Sequence, residues 1–200
     1  MLERVIGGRI MDAQNLLDLM KSRRSYRLFE TKQISDQQLE MILEAGLYAP
    51  NAGGRQSCLF LVTQNQETND HLGRISRQVA QIVKGRYVSH EQPSIIDDPD
   101  IKSAFYGAPT VITLLAPGNF LFSEADCSVA GQNMMLMAHV LGLGSCMISR
   151  AGLTMDSEFG KDLLRRKGID SEKYRAYYHI IVGYPKGKTV TKERKKRIYK

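Results

Sequence analysis

Apolar positions along this chain fall into two patterns. Four short stretches are apolar almost without interruption: residues 58–63 (CLFLVT), 110–116 (TVITLLA), 145–149 (SCMIS) and 177–183 (YYHIIVG). Runs this short, bounded by turn residues, predict buried strands, the third brief enough to be a turn. Elsewhere the apolar residues recur every three or four positions, which predicts helices. In DAQNLLDLM, Leu16, Leu17 and Met20 share a face behind Asp12 as N-cap. Over residues 34–45, Ser35 and Gln38 form a capping box, and Leu39, Ile42, Leu43 and Leu47 make a stripe assigned to the core. Pro50 disfavours helical geometry at Ala49, so this helix should stop near Tyr48.

A third helix is expected from residue 67 to about 83, with Leu72, Ile75, Val79 and Ile82 inward. Residues 84–101, holding Gly85, Pro93, Pro99 and several acids, read as an irregular excursion or lid. The longest apolar-rich segment, residues 124–143, aligns Val129, Gln132, Asn133, Leu136, Met137 and Val140 on one side. It is nearly apolar all round, so a central helix buried on several faces is expected. Met134, Met135, Met137 and Met147 suit packing and a subunit interface better than a metal box. Residues 154–167 predict one more helix, capped by Thr154. Alternating helices with about four strands imply an α+β or α/β sandwich around a central sheet, as a single domain over residues 1–200. Neither GxGxxG after a strand nor GxxxxGK[ST] occurs, so a Rossmann dinucleotide site and a P-loop are unsupported.

Composition narrows the class. Hydrophobic residues make up 42% and charged ones 24% of 200 residues, as in globular proteins. No apolar run approaches a membrane span, and the N-terminus lacks a secretory pattern, so a cytoplasmic protein is expected. Cys58, Cys127 and Cys146 are odd in number, far apart and set among apolar residues, and the four histidines are scattered. Buried free thiols and no metal are expected. The net charge of +7 is concentrated in residues 186–200, where eight Lys or Arg face Glu193 alone. Such a tail suits nucleic acid, an anionic membrane or a phosphorylated ligand, but no nucleic-acid motif accompanies it.

Two segments carry candidate chemistry. In KSRRSYRLF, an extended backbone would put Arg23, Ser25 and Arg27 on one face, with Arg24 beside them. Guanidinium forks flanking a hydroxyl suit a terminal phosphate, although a solvated basic turn has the same composition. In PNAGGRQ, two glycines behind Asn51 let the backbone turn sharply and approach a flat ligand.

Taken in order, RRSYRLF, APNAGGRQ, DCSVAGQNMMLMAHVLGLGSCMIS and IIVGYPKG with a closing Lys195-Lys196-Arg197 resemble the FMN-dependent nitroreductase family over residues 12–197. The resemblance implies an α+β sandwich with a mainly antiparallel sheet flanked by helices and completed by dimerisation. It implies that Arg23, Arg24, Ser25 and Arg27, with Lys195 and Arg197, grip the FMN phosphate and ribityl chain. Pro50, Asn51, Ala52, Gly53 and Gln56 would reach the flavin from the partner subunit, and Met147, Ile148 and Ser149 would face flavin N5. The implied activity is ping-pong electron transfer from NADH or NADPH to a small acceptor such as a nitroaromatic or quinone, with no catalytic side chain. It implies a homodimer with FMN at the interface, and neither nucleic acid nor membrane as partner. Reductive dehalogenation, enone reduction and flavin fragmentation are alternatives on the same fold. Where many relatives show N-x-Q-P-W, this chain has Gly54-Arg55-Gln56-Ser57-Cys58.

Overall fold

In a computed structural model, residues 3–6, 9–82, 100–187, 189 and 193–199 are described. The chain opens with an antiparallel pair, β1 (Glu3–Ile6) and β2 (Arg9–Asp12). Helix α1 (Ala13–Ser22) follows, its Asp12 cap accepting from the Gln14 N–H. Helix α2 (Asp36–Leu47) has the expected capping box, Ser35 and Gln38 each accepting a hydrogen bond from the other's backbone N–H, and ends at Tyr48. Then come β3 (Leu59–Thr63), α3 (Gln66–Ile82), β4 (Thr110–Pro117), α4 (Ser123–Val140), β5 (Gly144–Ile148), α5 (Ala151–Met155), α6 (Glu158–Arg166) and β6 (Tyr174–Gly183).

Strands β3 to β6 form one sheet in the order β3-β4-β6-β5, every neighbour antiparallel, with a register irregularity at Leu114/Leu115. The apolar runs are continuous because both faces are covered. On one face Val111, Leu115, Cys146, Ile148 and Ile181 pack with Leu72 of α3, Ala151 and Met155 of α5, and Leu163 and Leu164 of α6. On the other, Ile112, Leu114, Ala116, Ile180 and Val182 pack with Ile42 of α2 and Cys127, Met134, Met135 and Ala138 of α4. The result is a three-layered α+β sandwich. No described helix is long and apolar enough to cross a membrane.

Four expectations are revised. The helix expected over 154–167 is two helices. Thr154 lies inside α5, donating to the Arg150 carbonyl at 2.8 Å, and Ser157 caps α6 by accepting from the Gly160 N–H at 3.1 Å. Leu47, the last residue of α2, is 65% exposed rather than part of a buried stripe. Helix α4 buries the stripe Asp126, Cys127, Ala130, Gly131, Met134, Met135 and Ala138, while Val129 and Val140 of the opposite stripe stay exposed. The β1–β2 pair was not anticipated. Of the lid expected over 84–101, residues 84–99 lie outside the described residues.

His179 of β6 is wholly buried. Its Nδ1 lies 2.8 Å from the Thr113 hydroxyl, its ring meets Phe105 edge-on, and its Nε2 has no partner. Burial pushes its pKa down from 6.5 to about 3, so the folded ring stays neutral where the unfolded one takes up a proton. Stability is therefore full above pH 6.5 and falls as pH drops toward 3, with a slope of up to about 1.4 kcal/mol per pH unit. Denaturant midpoints measured from pH 7 to pH 4 should show this loss, and His179→Gln should flatten it. An equal slope in both proteins would assign the loss elsewhere.

Candidate functional site

The site begins where α1 ends. Arg23 is the C-cap, with extended backbone (φ −57°, ψ 134°), and the chain then runs beside β5. Because β5 is an edge strand, its outer backbone groups are open to pairing. Ser25 bridges Ser145 in parallel, and the Tyr26 N–H donates to the Ser145 carbonyl at 3.0 Å. The approach is close enough that a Cβ at Gly144 would sit 2.9 Å from Tyr26 and 3.0 Å from Pro185, so glycine is required. Farther on, Phe29 bridges Pro185, Glu30 N–H donates to Tyr184 O at 3.0 Å, and Lys186 N–H donates to Leu28 O at 2.9 Å. This antiparallel contact turns the chain beyond β6 back toward the arginines.

Electrostatics there is one-sided. Arg23 is half-buried and its Nη1 is sealed from water without a hydrogen-bond partner. Burial lowers its pKa, Arg24 and Arg194 lower it further by repulsion, and Cys146 partly opposes them. Arg194 of the tail therefore lies within electrostatic range of the first arginine of the motif. Arg24 Nη1 donates to the carbonyls of Lys21 and Arg23. Arg27, Ser25 and Arg23 all act on the buried Cys146 thiol: burial pushes that thiol up, while the Arg27 charge, the Ser25 hydrogen bond and the Arg23 charge pull it down. His139 Nε2 lies 2.8 Å from the Ser22 hydroxyl, and burial, then Arg23 and Arg24, lower its pKa. Among the described residues, no carboxylate forms an ion pair with Arg23 or Arg27. Half-buried guanidinium groups that repel one another, one with an orphaned nitrogen, fit a dianion such as a phosphate monoester.

Met147 and Ile148 close β5 on this same edge, the first half-buried and the second buried, and Ser149 stands exposed just past the strand. Lys195 and Arg197 are exposed.

The glycine-containing loop lies elsewhere. Pro50 is exposed, Asn51 is half-buried, and Ala52–Gly54 form a 3-10 turn. Gly53 has φ 64° and Gln56, without a glycine's freedom, has φ 50°, a left-handed conformation costing about 1 kcal/mol. Two polar contacts hold the loop: Asn51 Oδ1 accepts from Gln56 N–H at 2.9 Å, and Asp126 Oδ1 accepts from Ala52 N–H at 3.0 Å. Asp126 is 5% exposed, and its Oδ2 has no partner. Pro50, Asn51, Gln56, Ser57, Cys58 and Asp126 line a cavity of about 430 Å³. The loop leads into β3, the edge strand opposite β5. Three interstrand spacings, roughly 14 Å, separate the two edges. One protomer thus unites Arg23, Arg24, Ser25 and Arg27 with the edge carrying Met147–Ser149, and leaves Pro50, Asn51, Ala52, Gly53 and Gln56 apart from them.

Three residues of this region went unnominated. Asp126 is one of two acids in the first turn of α4 and the one that is buried, which the sequence does not distinguish from Glu124. His139 reaches the arginines only through tertiary folding, with no local signal, whereas Arg194 belongs to the basic tail whose charge stands out in the sequence.

The frame is a three-layered α+β sandwich with an arginine cluster at one sheet edge. The profile of the nitroreductase family matches residues 20–184, and the chain belongs to that family. A relative from Archaeoglobus fulgidus, provisionally named an NADH dehydrogenase/NAD(P)H nitroreductase, is 28% identical over 173 residues, 86% of this chain and 87% of its own length. The crystal structure of a nitroreductase with bound FMN from Bacteroides fragilis matches with a TM-score of 0.74 at 26% identity, over 91% of this chain and 94% of that one. A nitroreductase with bound FMN from Desulfitobacterium hafniense has the same fold, with a TM-score of 0.77 at 23% identity, over 92% and 96%.

Asp126→Ala should leave the Ala52 amide without its acceptor, speeding its hydrogen exchange about tenfold or more and costing about 1–3 kcal/mol of stability. Asp126→Asn, which keeps an acceptor oxygen, should preserve most of the protection. Unchanged Ala52 exchange in the alanine variant would show that the carboxylate does not hold the loop.

Proposed function

We propose that this protein is an FMN-dependent oxidoreductase that passes electrons from NADH or NADPH to a small organic acceptor such as a nitroaromatic or quinone. The observation that carries this reading is Arg23 at the β5 edge, half-buried, with its Nη1 sealed and unpartnered and its pKa lowered by burial and by neighbouring cations. Membership of the nitroreductase family, and the FMN named for the Bacteroides fragilis structure, say which dianion fits. FMN, when bound, supplies the redox chemistry, taking hydride from the nicotinamide and giving electrons to the acceptor in turn.

The chain's own residues bind and orient. Arg23, Ser25 and Arg27 take the phosphate, with Arg24 beside them. Arg194, Lys195 and Arg197 add charge from the tail, which is drawn in by the contacts between 28–30 and 184–186. Met147, Ile148 and the Ser149 N–H serve the ring. No side-chain acid or base is assigned.

Pro50, Asn51, Ala52, Gly53 and Gln56 complete the site from a second copy. Two features support the homodimer: the sheet order that parts this loop from the arginines, and the exposed apolar residues Met41, Leu47 and Tyr48 around α2 and Val129 and Val140 on α4.

Purified protein should be yellow, or take up added FMN, and should bleach with NADH or NADPH. Arg23→Ala and Arg27→Ala should each weaken FMN binding by about 1–3 kcal/mol. In FMN-free protein, Arg23→Ala should leave the melting temperature unchanged or raised, because it removes an unpaired half-buried charge repelled by its neighbours. Wild-type flavin affinity in both variants would remove the phosphate assignment. Light scattering should give twice the 22.5 kDa chain mass; a flavin-loaded monomer would refute the shared site.

A further inference from the structure

Cys58 and Cys127 are distant in sequence, yet their sulfurs lie 3.7 Å apart. Cys58 closes the loop before β3, is half-buried, and lines the 430 Å³ cavity, which gives a small reagent a route to it. Cys127, one turn into α4, is fully buried beneath it. The two thiols are not equivalent. A hydrogen bond with Cys127 pulls the Cys58 pKa down against burial and the Asp126 charge, while that bond and burial push Cys127 up. Cys58 is thus the sulfur that ionises first, and Cys127 stays protonated as donor. The third thiol, Cys146, is buried on the other face of the sheet.

We infer that Cys58 and Cys127 form a reversible dithiol–disulfide pair that fastens the 50–57 loop and β3 to α4. The oxidant is a peroxide. The Cys58 thiolate attacks one oxygen of hydrogen peroxide, giving a sulfenic acid and a hydroxide, which takes up a proton to become water. The Cys127 sulfur then attacks the Cys58 sulfur, the S–S bond forms, and the sulfenic hydroxyl leaves with the Cys127 proton as a second water. Two thiols and one peroxide become one disulfide and two waters, and a dithiol reductant reverses the change. The sulfurs must close from 3.7 Å to about 2.05 Å. The preceding loop, with its left-handed Gly53, Gly54 and Gln56, is where backbone can yield.

The bond would act on the loop through a short path. Asp126 adjoins Cys127 and accepts from Ala52 N–H, so α4 would hold the loop at both Ala52 and Cys58. Any effect on FMN affinity rests on the function proposed above; disulfide formation does not.

The test treats the full-length protein, FMN-loaded and FMN-free, with stoichiometric hydrogen peroxide and counts thiols. The expected result is a fall from three free thiols to one, with a Cys58–Cys127 peptide in the digest and recovery on dithiothreitol. The oxidised protein should melt about 5–10 °C higher than the reduced one, as closure of so long a loop predicts. Cys58→Ser should lose the reaction, and Cys127→Ala should leave a dimedone-reactive sulfenic acid at Cys58. Sulfinic acid at Cys58 with Cys127 still free, a disulfide joining two chains, oxidation of Cys146 first, or no thiol loss would each overturn the inference. Peroxide results that hold while FMN fails to bind would leave the pair standing and sink only the function proposed above.

Discussion

The open edge of β5 is the constraint on which the candidate site depends. An edge strand presents backbone donors and acceptors that must be met by water or by another segment. Here residues around Ser25 meet them, and residues 28–30 then take up the chain leaving β6. These are neutral backbone bonds, each worth about 1 kcal/mol, yet they hold together like charges that would otherwise separate. The sheet contacts hold Arg23 near Arg24 and Arg194, whose charges, after burial, lower its pKa.

Much of the fold was legible, because burial on both faces leaves a simple trace. The runs at 58–63, 110–116, 145–149 and 177–183 are the four sheet strands. Caps at Asp12 and Ser35 marked helix starts through the same hydrogen bonds the structure shows. The misreadings also have physical causes. Thr154 resembles a cap, but Asp156 and Ser157 break the helix and Ser157 takes the capping role. The segment ERVIGGRIMD carries a Gly-Gly hairpin signal, but polar residues dilute its alternation and leave the strand pattern weak.

Helix α4 shows why periodicity cannot settle everything. Both of its stripes are apolar, so the pattern says that it is buried without saying by what. The structure packs Cys127, Met134, Met135 and Ala138 into the cluster formed by the sheet and α2, and leaves Val129 and Val140 exposed. At the candidate site the same distinction separates local from tertiary information. The spacing of Arg23, Ser25 and Arg27 is local and can be read. The proximity of Arg194 to Arg23, of Asp126 to Ala52 and of Cys58 to Cys127 is set by topology, and a single sequence carries no mark of it.

Strand order also divides the work of the molecule. The arginine-bearing segment joins β5 and the 50–57 loop precedes β3, at opposite edges of one sheet. Changes in the loop therefore leave the arginine edge untouched in the same protomer. The residues that line the cavity, Ser57 and Cys58 among them, take no part in the backbone bonds that Tyr26, Leu28 and Glu30 make with β5 and the chain beyond β6. Asp126 ties the loop's Ala52 N–H to the central helix, and Cys58 at the loop's end meets Cys127 of the same helix. The left-handed Gln56 fits this view: its strain is local and is met by the Asn51 side chain five residues back, so the loop's shape is largely its own.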